Sequence, residues 1–493
     1  MEILQIENLS FTYPDEMYPV LDSVNITLEK GEFAVLAGAS GSGKSTLLRL
    51  IKSQLAPSGT KSGNVLFCNK SADMAGAGDI GMVMQDPDLQ IVTDAVWQEL
   101  AFGLENMGCD RPQMHRRIAE VCSCLGISDL YNRKCDSLSG GQKQILNLAS
   151  VIAMRPKLLL LDEPTSQLDP VAASAFMDML KKLNCQLGLT VLMAEHRLED
   201  CFYFADQAIV LEKGKILCKG APEQVCRSLK GHTMFSAMPA SARIWSAVAD
   251  SGPCPLTVRQ GRDFMDRRYP GVYADSVPDK ATGTDRDAAL EADGIWFRYT
   301  KDGPDILKDF SLRAASGEIV CILGANGSGK STAVSVLSGL CRPYRGKCRI
   351  LGKKIGEYKS ASLYRNTVAV LPQNPGSLFI KNSVQEDFLD VIKTVGADHG
   401  TGEADIERVV KLMGIGAFIS RHPGDLSGGE KQKCAIAKLL LAKPRVIFLD
   451  EPTKGIDSYA RRELVEILRR LRDEGKCVIC VSHDAEFAAE CAD

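Results

Sequence analysis

Two glycine-rich stretches carry the residues best suited to chemistry. Gly38-Ala39-Ser40-Gly41-Ser42-Gly43-Lys44-Ser45-Thr46 and Gly324-Ala325-Asn326-Gly327-Ser328-Gly329-Lys330-Ser331-Thr332 each leave an apolar run and open a helix-like stretch. Glycines at this spacing let the backbone curl round a phosphate, N–H groups inward, at the positive end of a helix. Lys44 and Lys330 would then reach the β- and γ-phosphates of a nucleotide, and the Ser45 and Ser331 hydroxyls would ligate Mg²⁺. Asp162 and Asp450 end apolar runs, a place from which a carboxylate can hold the ion or its water. Glu163 and Glu451 follow directly and can polarise the water that attacks a γ-phosphate.

Further polar residues fall at matched places. His196 and His483 close later apolar runs, 196 − 163 = 33 and 483 − 451 = 32 residues past the glutamates, and are candidates for a γ-phosphate contact. Gln85 and Gln373 begin turns after short apolar runs, where an amide can reach the metal and the attacking water. Ser139-Gly140-Gly141-Gln142 and Ser427-Gly428-Gly429-Glu430 offer a serine hydroxyl and bare backbone N–H groups at a helix start, a second kind of anion site. Tyr13 and Tyr299 end early strands and can stack on an adenine.

These residues need elements to hold them, and the pattern supplies the elements twice. Gly38 recurs as Gly324 (324 − 38 = 286), Leu138 as Leu426 (426 − 138 = 288) and Glu163 as Glu451 (451 − 163 = 288). Several motifs in one order at a near-constant offset mean a tandem duplication. The apolar runs at 33–38, 157–163 and 190–196 read as central strands of a mostly parallel sheet, each followed by a helix-like stretch, so the fold class is α/β. The division expected is residues 1–235 for the first copy, 236–275 for a small appendage with a capping box at Thr257-Val258-Arg259-Gln260, 276–290 for a polar linker, and 291–493 for the second copy.

Composition narrows the class. In 493 residues, 45% are hydrophobic and 25% charged, as in an ordinary globular protein and unlike a disordered or fibrous one. Lys+Arg 59 against Asp+Glu 62 gives a net charge of −3, without the basic surplus of a protein that rides on nucleic acid. No run approaches the roughly 18 apolar residues needed to span a bilayer, and the first residues lack a basic stretch before an apolar one, so a soluble chain without a signal peptide is expected. The 17 cysteines are scattered through apolar runs and read as reduced core thiols, Cys122-x-Cys124 and Cys477-x-x-Cys480 included.

The signature Leu138-Ser139-Gly140-Gly141, placed between a glutamine turn and the run Leu161-Asp162-Glu163-Pro164-Thr165, resembles the ATP-binding cassette (ABC) ATPases, twice over and across nearly the entire chain. The resemblance implies two tandem P-loop NTPase domains, each a mostly parallel sheet with flanking helices, an antiparallel β part and a helical signature subdomain. It also implies ATP and Mg²⁺ as ligands, and cassettes paired head to tail. Site one would combine Lys44, Ser45, Gln85, Asp162, Glu163 and His196 with Ser427, Gly428 and Gly429. Site two would combine Lys330, Ser331, Gln373, Asp450, Glu451 and His483 with Ser139, Gly140 and Gly141. With both cassettes in one chain, pairing is intramolecular.

Residues 84–108 and 254–262 are similar to the ATPases of energy-coupling factor (ECF) transporters, importers of vitamins and transition-metal ions. That resemblance implies a transmembrane coupling protein and a substrate-binding membrane subunit as partners, no nucleic acid, and a peripheral place on the cytoplasmic face of the membrane. Docking is expected at 85–105 and 373–390 through Trp97, Leu100, Phe102, Leu378 and Phe379, although Trp97 suits a helix-face core position equally well. Two rival readings are a tandem cassette acting on ribosomes, disfavoured by the short polar linker and the acidic balance, and the tandem ATPase of a sugar importer, which usually carries Asn after its signature.

The copies are not identical. Ser166-Gln167-Leu168-Asp169 follows the family pattern, whereas Lys454-Gly455-Ile456-Asp457 keeps only its Asp, a difference that can bias the two sites kinetically. The first copy continues past Asp206 into an alternating hairpin whose turn is Lys213-Gly214; the second ends at the equivalent Asp493. A shortened second copy is therefore expected, with two strands fewer, an exposed sheet edge and lower stability.

Overall fold

In the computed structural model the described residues are 1–14, 16–248, 252–271, 287–358, 360–395 and 399–493. They fall into two compact units, residues 1–273 and 274–493. The linker expected at 276–290 lies outside the described residues as far as 286, and a strand already begins at Ala288.

The first unit is built on a six-stranded sheet in the order Lys215–Gly220, Gln207–Glu212, Phe33–Gly38, Thr190–Ala194, Leu158–Asp162, Ile80–Val83. The last five run parallel, and only the outermost Lys215–Gly220 is antiparallel. Phe33–Gly38, Leu158–Asp162 and Thr190–Ala194 are buried along their whole length, the consequence of covering both faces of a parallel sheet. Alternate residues serve different cores. Phe33, Val35, Leu159 and Leu161 face the helical side, where Val96–Asn106, Arg111–Leu125 and Gly140–Ala153 pack. Ala34, Leu36, Leu158 and Leu160 face an antiparallel sheet in the order Leu21–Glu29, Glu2–Thr12, Thr60–Phe67, Lys70–Ser71.

The appendage is two helices, Ala240–Ala247 and Val258–Arg268. Trp245 is buried beneath the Lys230 ammonium, and Thr257 closes the capping box with Gln260.

The second unit repeats the plan around Ile319–Leu323, Cys477–Ser482, Val446–Asp450 and Val368–Leu371, all parallel, with a four-stranded antiparallel sheet beside them. Its central sheet has four strands where the first has six. Among the described residues no strand pairs with the outer edge of Ile319–Leu323; Asp493 bonds its first residue, with its N–H donating to the Ile319 carbonyl at 3.0 Å and its Oδ2 accepting from Ile319 N at 3.1 Å. The counterpart Phe33–Gly38 is covered there by Gln207–Glu212. Cys477 and Cys480 share a buried strand but face opposite cores, three residues apart on a period of two, so they cannot converge on one ion.

The fully buried central strands of the first unit set a test. Leu36→Lys, at a fully buried position, should abolish the first unit's cooperative unfolding transition, because a lone buried charge costs several kcal/mol or more.

Candidate functional site

The lysine, glutamine, aspartate, glutamate and histidine of the first unit sit at or just past the ends of parallel strands. Phe33–Gly38 runs into the loop 38–43, which enters the helix Lys44–Ile51; Ile80–Val83 leads to Gln85, Leu158–Asp162 to Glu163, and Thr190–Ala194 to His196. Gly38 has no room for a side chain, since a Cβ there would lie 2.5 Å from the Leu211 carbonyl and 2.6 Å from Ser42 Oγ. Gly43 takes φ 101° with the Val20 carbonyl and the Leu21 side chain against it, a conformation that favours glycine.

Inside this frame the contacts converge. The Lys44 ammonium donates to the Gly38 and Ala39 carbonyls at 2.9 and 3.1 Å and lies 3.7 Å from Glu163 Oε1. Ser45 Oγ donates to Asp162 Oδ1 at 2.9 Å. Glu163 meets His196 Nε2 at 2.7 Å and accepts from Gln85 Nε2 at 2.8 Å. Tyr13 packs edge-on against Phe11, its hydroxyl 3.1 Å from Thr46 Oγ1. Ser42 Oγ is buried with no hydrogen-bond partner among the described residues, a group left over for a ligand in the loop.

The second unit reproduces the arrangement. Lys330 donates to Gly324 and Ala325, each at 2.9 Å, and lies 3.6 Å from Glu451; Ser331 donates to Asp450 at 3.0 Å; and His483 Nδ1 is 2.8 Å from Glu451. Tyr299 bonds Thr332 as Tyr13 does Thr46. Gln373 occupies the same turn as Gln85 with its side chain exposed.

Burial and partners set the charges. Burial pushes the Asp162 and Asp450 carboxyls up, only partly offset by their serine hydroxyls. Burial pushes Glu163 and Glu451 the same way, but the histidine hydrogen bonds and charges, with Lys44 and Lys330, outweigh it and hold both glutamates below their usual range. Both glutamates have φ near +50°, at 45° and 50°, in the left-handed region. Their N–H groups are fixed to Ala194 O and Val481 O, each at 2.9 Å, which holds the strained turn.

Ser139 and Ser427 act differently. Each caps the helix that follows, closing a capping box with Gln142 or Glu430, and stands apart from its own unit's lysine and glutamate contacts. Asp169 and Asp457 likewise cap the helices Pro170–Leu187 and Ser458–Asp473, so the altered residues before Asp457 leave the cap intact.

The expected docking residues need correcting. Leu100 is fully buried in the core, and Leu378 and Phe379 are half-buried, the first with its carbonyl bonded to Lys438 and the second beneath that ammonium. Trp97 and Phe102 remain partly exposed at 44% and 46%, while the more exposed apolar residues are Leu89, Val92 and Ile380. Their turns are pinned by buried carboxylates that the sequence reading missed. Glu99 accepts from the Val92 and Thr93 N–H groups at 3.1 and 3.0 Å; Asp387 accepts from Ile380 and Lys381 N–H, each at 3.2 Å, and from Lys438 at 2.6 Å. An acidic residue on the apolar face of a helix was the available signal.

Known proteins carry the same features. The ABC transporter family profile matches residues 21–166 and again 307–454, more than half of the chain, and an AAA-domain profile matches 420–489. A protein of Bacillus thuringiensis subsp. konkukian (strain 97-27), named as an ABC transporter ATP-binding protein, is 38% identical over 497 residues, covering 99% of this chain and 89% of its own length. The HMP/thiamine import ATP-binding protein YkoD of Bacillus subtilis (strain 168) is 31% identical over 503 residues, covering 100% and 89%. Archaeal ribosome recycling factor aABCE1, solved with the stalk protein aP1, matches with a TM-score of 0.61 over 99% of this chain and 86% of that one at 22% identity, a likeness of fold alone. The chain belongs to the ABC transporter ATP-binding proteins and carries two ABC cassettes.

The lowered glutamates fix a sign for acid stability. A group whose pKa falls on folding stabilises the fold above its unfolded value, about 4.3 for Glu, and loses that contribution as pH drops through the folded value. The melting-temperature gap between the parent and the Glu163→Gln, Glu451→Gln double variant should therefore narrow as pH falls below about 4.3. Scanning calorimetry from neutral to acid pH measures it, and a constant gap would contradict the assigned pairing.

Proposed function

We propose that this chain is the ATP-binding and ATP-hydrolysing subunit that energises an ECF-type importer of a vitamin or a transition-metal ion, docked at the cytoplasmic face of the membrane. The observation that carries the reading is the intact lysine–glutamate–histidine cluster at the strand ends of both copies. End-to-end similarity to a protein named for HMP/thiamine import supports the transport half. No helix among the described residues is long and apolar enough to cross a membrane, consistent with a subunit that borrows its membrane path from partners.

In this reading the Lys44 ammonium exchanges the Gly38 and Ala39 carbonyls for the β- and γ-phosphates of ATP, and Lys330 does so in the second copy. Ser45 and Asp162, with Gln85, are the oxygen donors for Mg²⁺, as Ser331, Asp450 and Gln373 are in the second copy; the ion neutralises phosphate charge. Glu163, ionised and held by Gln85 and His196, accepts the proton of the attacking water. Each signature serine, its helix N-terminus turned to solvent, completes the ATP site of the opposite cassette, so that ATP closes the pair and hydrolysis reopens it.

Three measurements test this. The Glu163→Gln, Glu451→Gln variant should bind ATP and hold the closed state without hydrolysing it; hydrolysis at the parental rate would sink the assigned roles. Lys44→Ala should weaken nucleotide binding at the first site by about ten- to hundredfold, the cost of a lost charged hydrogen bond. In membranes, photocrosslinkers at Leu89, Val92, Trp97 and Ile380 should capture a polytopic partner, whereas capture only from the opposite surface would remove the docking reading.

A further inference from the structure

The residue before each histidine separates the two sites. In the first copy it is Glu195, 1% exposed, just past the strand Thr190–Ala194; in the second it is Ser482, fully buried at the end of Cys477–Ser482. Glu195 Oε1 accepts from the His196 and Arg197 N–H groups at 3.2 and 3.4 Å, and the carboxyl faces the Thr165 hydroxyl. Ser482 anchors the same loop with a neutral group. Its hydroxyl accepts from Asp484 N at 3.0 Å and lies 3.4 Å from Thr453 Oγ1.

The fold does not require a carboxyl here, since the second copy builds the same strand end with a serine. A carboxyl this deeply buried costs stability, so its presence in one copy asks for a purpose. The groups that face it are Glu163 at the end of the neighbouring strand, His196 and Arg197 on its own loop, Cys201 in the turn beyond, and the Thr165 hydroxyl. Burial pushes Glu195 up and the Glu163 charge adds to it, against His196 and Thr165. Glu163 itself is held down. Two neighbouring carboxyls driven apart in this way are the pattern in which one keeps a proton while the other stays ionised.

We propose that Glu195 is a positioning residue of the first ATP site, which anchors the His196 backbone and sets a second carboxyl beside the Glu163–His196 pair, giving that site a pH response the second site lacks. The proposal rests on the ATP-hydrolysis reading above. As pH rises, ionised Glu195 competes with Glu163 for His196, and turnover at the first site falls.

The test is the pH–rate profile of ATP hydrolysis by the full chain carrying Glu451→Gln, which leaves only the first site turning over, with the parent in that background set against Glu195→Gln, Glu195→Ser and Ser482→Ala. The parent should show a falling limb above the ordinary carboxylate range, of about tenfold where one pKa unit of interaction is lost. Both Glu195 variants should lack that limb with the KM for ATP unchanged within about twofold, and Ser482→Ala should keep it. The isosteric Glu195→Gln decides the matter if Glu195→Ser folds poorly. A Glu195→Gln profile that superimposes on the parent, or loss of the same limb in Ser482→Ala, overturns the proposal. An unsubstituted chain with no ATPase activity overturns the hydrolysis reading itself, and this proposal with it.

Discussion

A lysine ammonium and a glutamate carboxylate, both withdrawn from water, are the constraint around which each cassette is arranged. Lys44 is 4% exposed and Glu163 7%, and an isolated ion at such depth costs several kcal/mol. Neither is isolated. Lys44 is held by two loop carbonyls and faces Glu163, which in turn has Gln85 and His196. The groups come from four strand ends, so removing any one strand leaves a buried charge without its partner. The steric demands at Gly38 and Gly43 and the left-handed turn at Glu163 follow from the same requirement, since each brings backbone close enough to satisfy the pair.

The second copy keeps this centre while its surroundings differ. Lys330 lies 3.6 Å from Glu451 where Lys44 lies 3.7 Å from Glu163, while His483 meets its glutamate through Nδ1 and His196 through Nε2. Around them the sheet is narrower, and a serine replaces the buried glutamate before the histidine. Duplication followed by change at the periphery leaves two phosphate-binding frames of one design whose local electrostatics need not agree.

The glutamine turns show a second use of buried charge. Glu99 and Asp387 spend their acceptor capacity on backbone N–H groups of the turns after Gln85 and Gln373, which fixes Val92 and Ile380 outward while Leu100 goes into the core. Lys438 adds an ion pair in the second copy at 2.6 Å, whereas its place in the first is taken by Ser150, bonded to its own helix. The same turns thus carry a glutamine and exposed apolar residues on one hydrogen-bonded segment.

What the sequence determined by itself was local chemistry and its repetition. The phosphate loops, the capping box at Thr257, the helix starts at Ser139 and Ser427, and the buried parallel strands were legible because each depends on residues within one turn or one strand. Tertiary structure decided the rest. Ser45 meets Asp162 across 117 residues and Gln85 meets Glu163 across 78, pairings set by strand order rather than by any neighbouring sequence. The same order sends Leu100 inward, turns Cys477 and Cys480 to opposite cores, and brings Glu195 beside Glu163. Short-range patterns encode which groups are available; only the packed sheet fixes which of them share a low-dielectric space, and that sharing sets their charges.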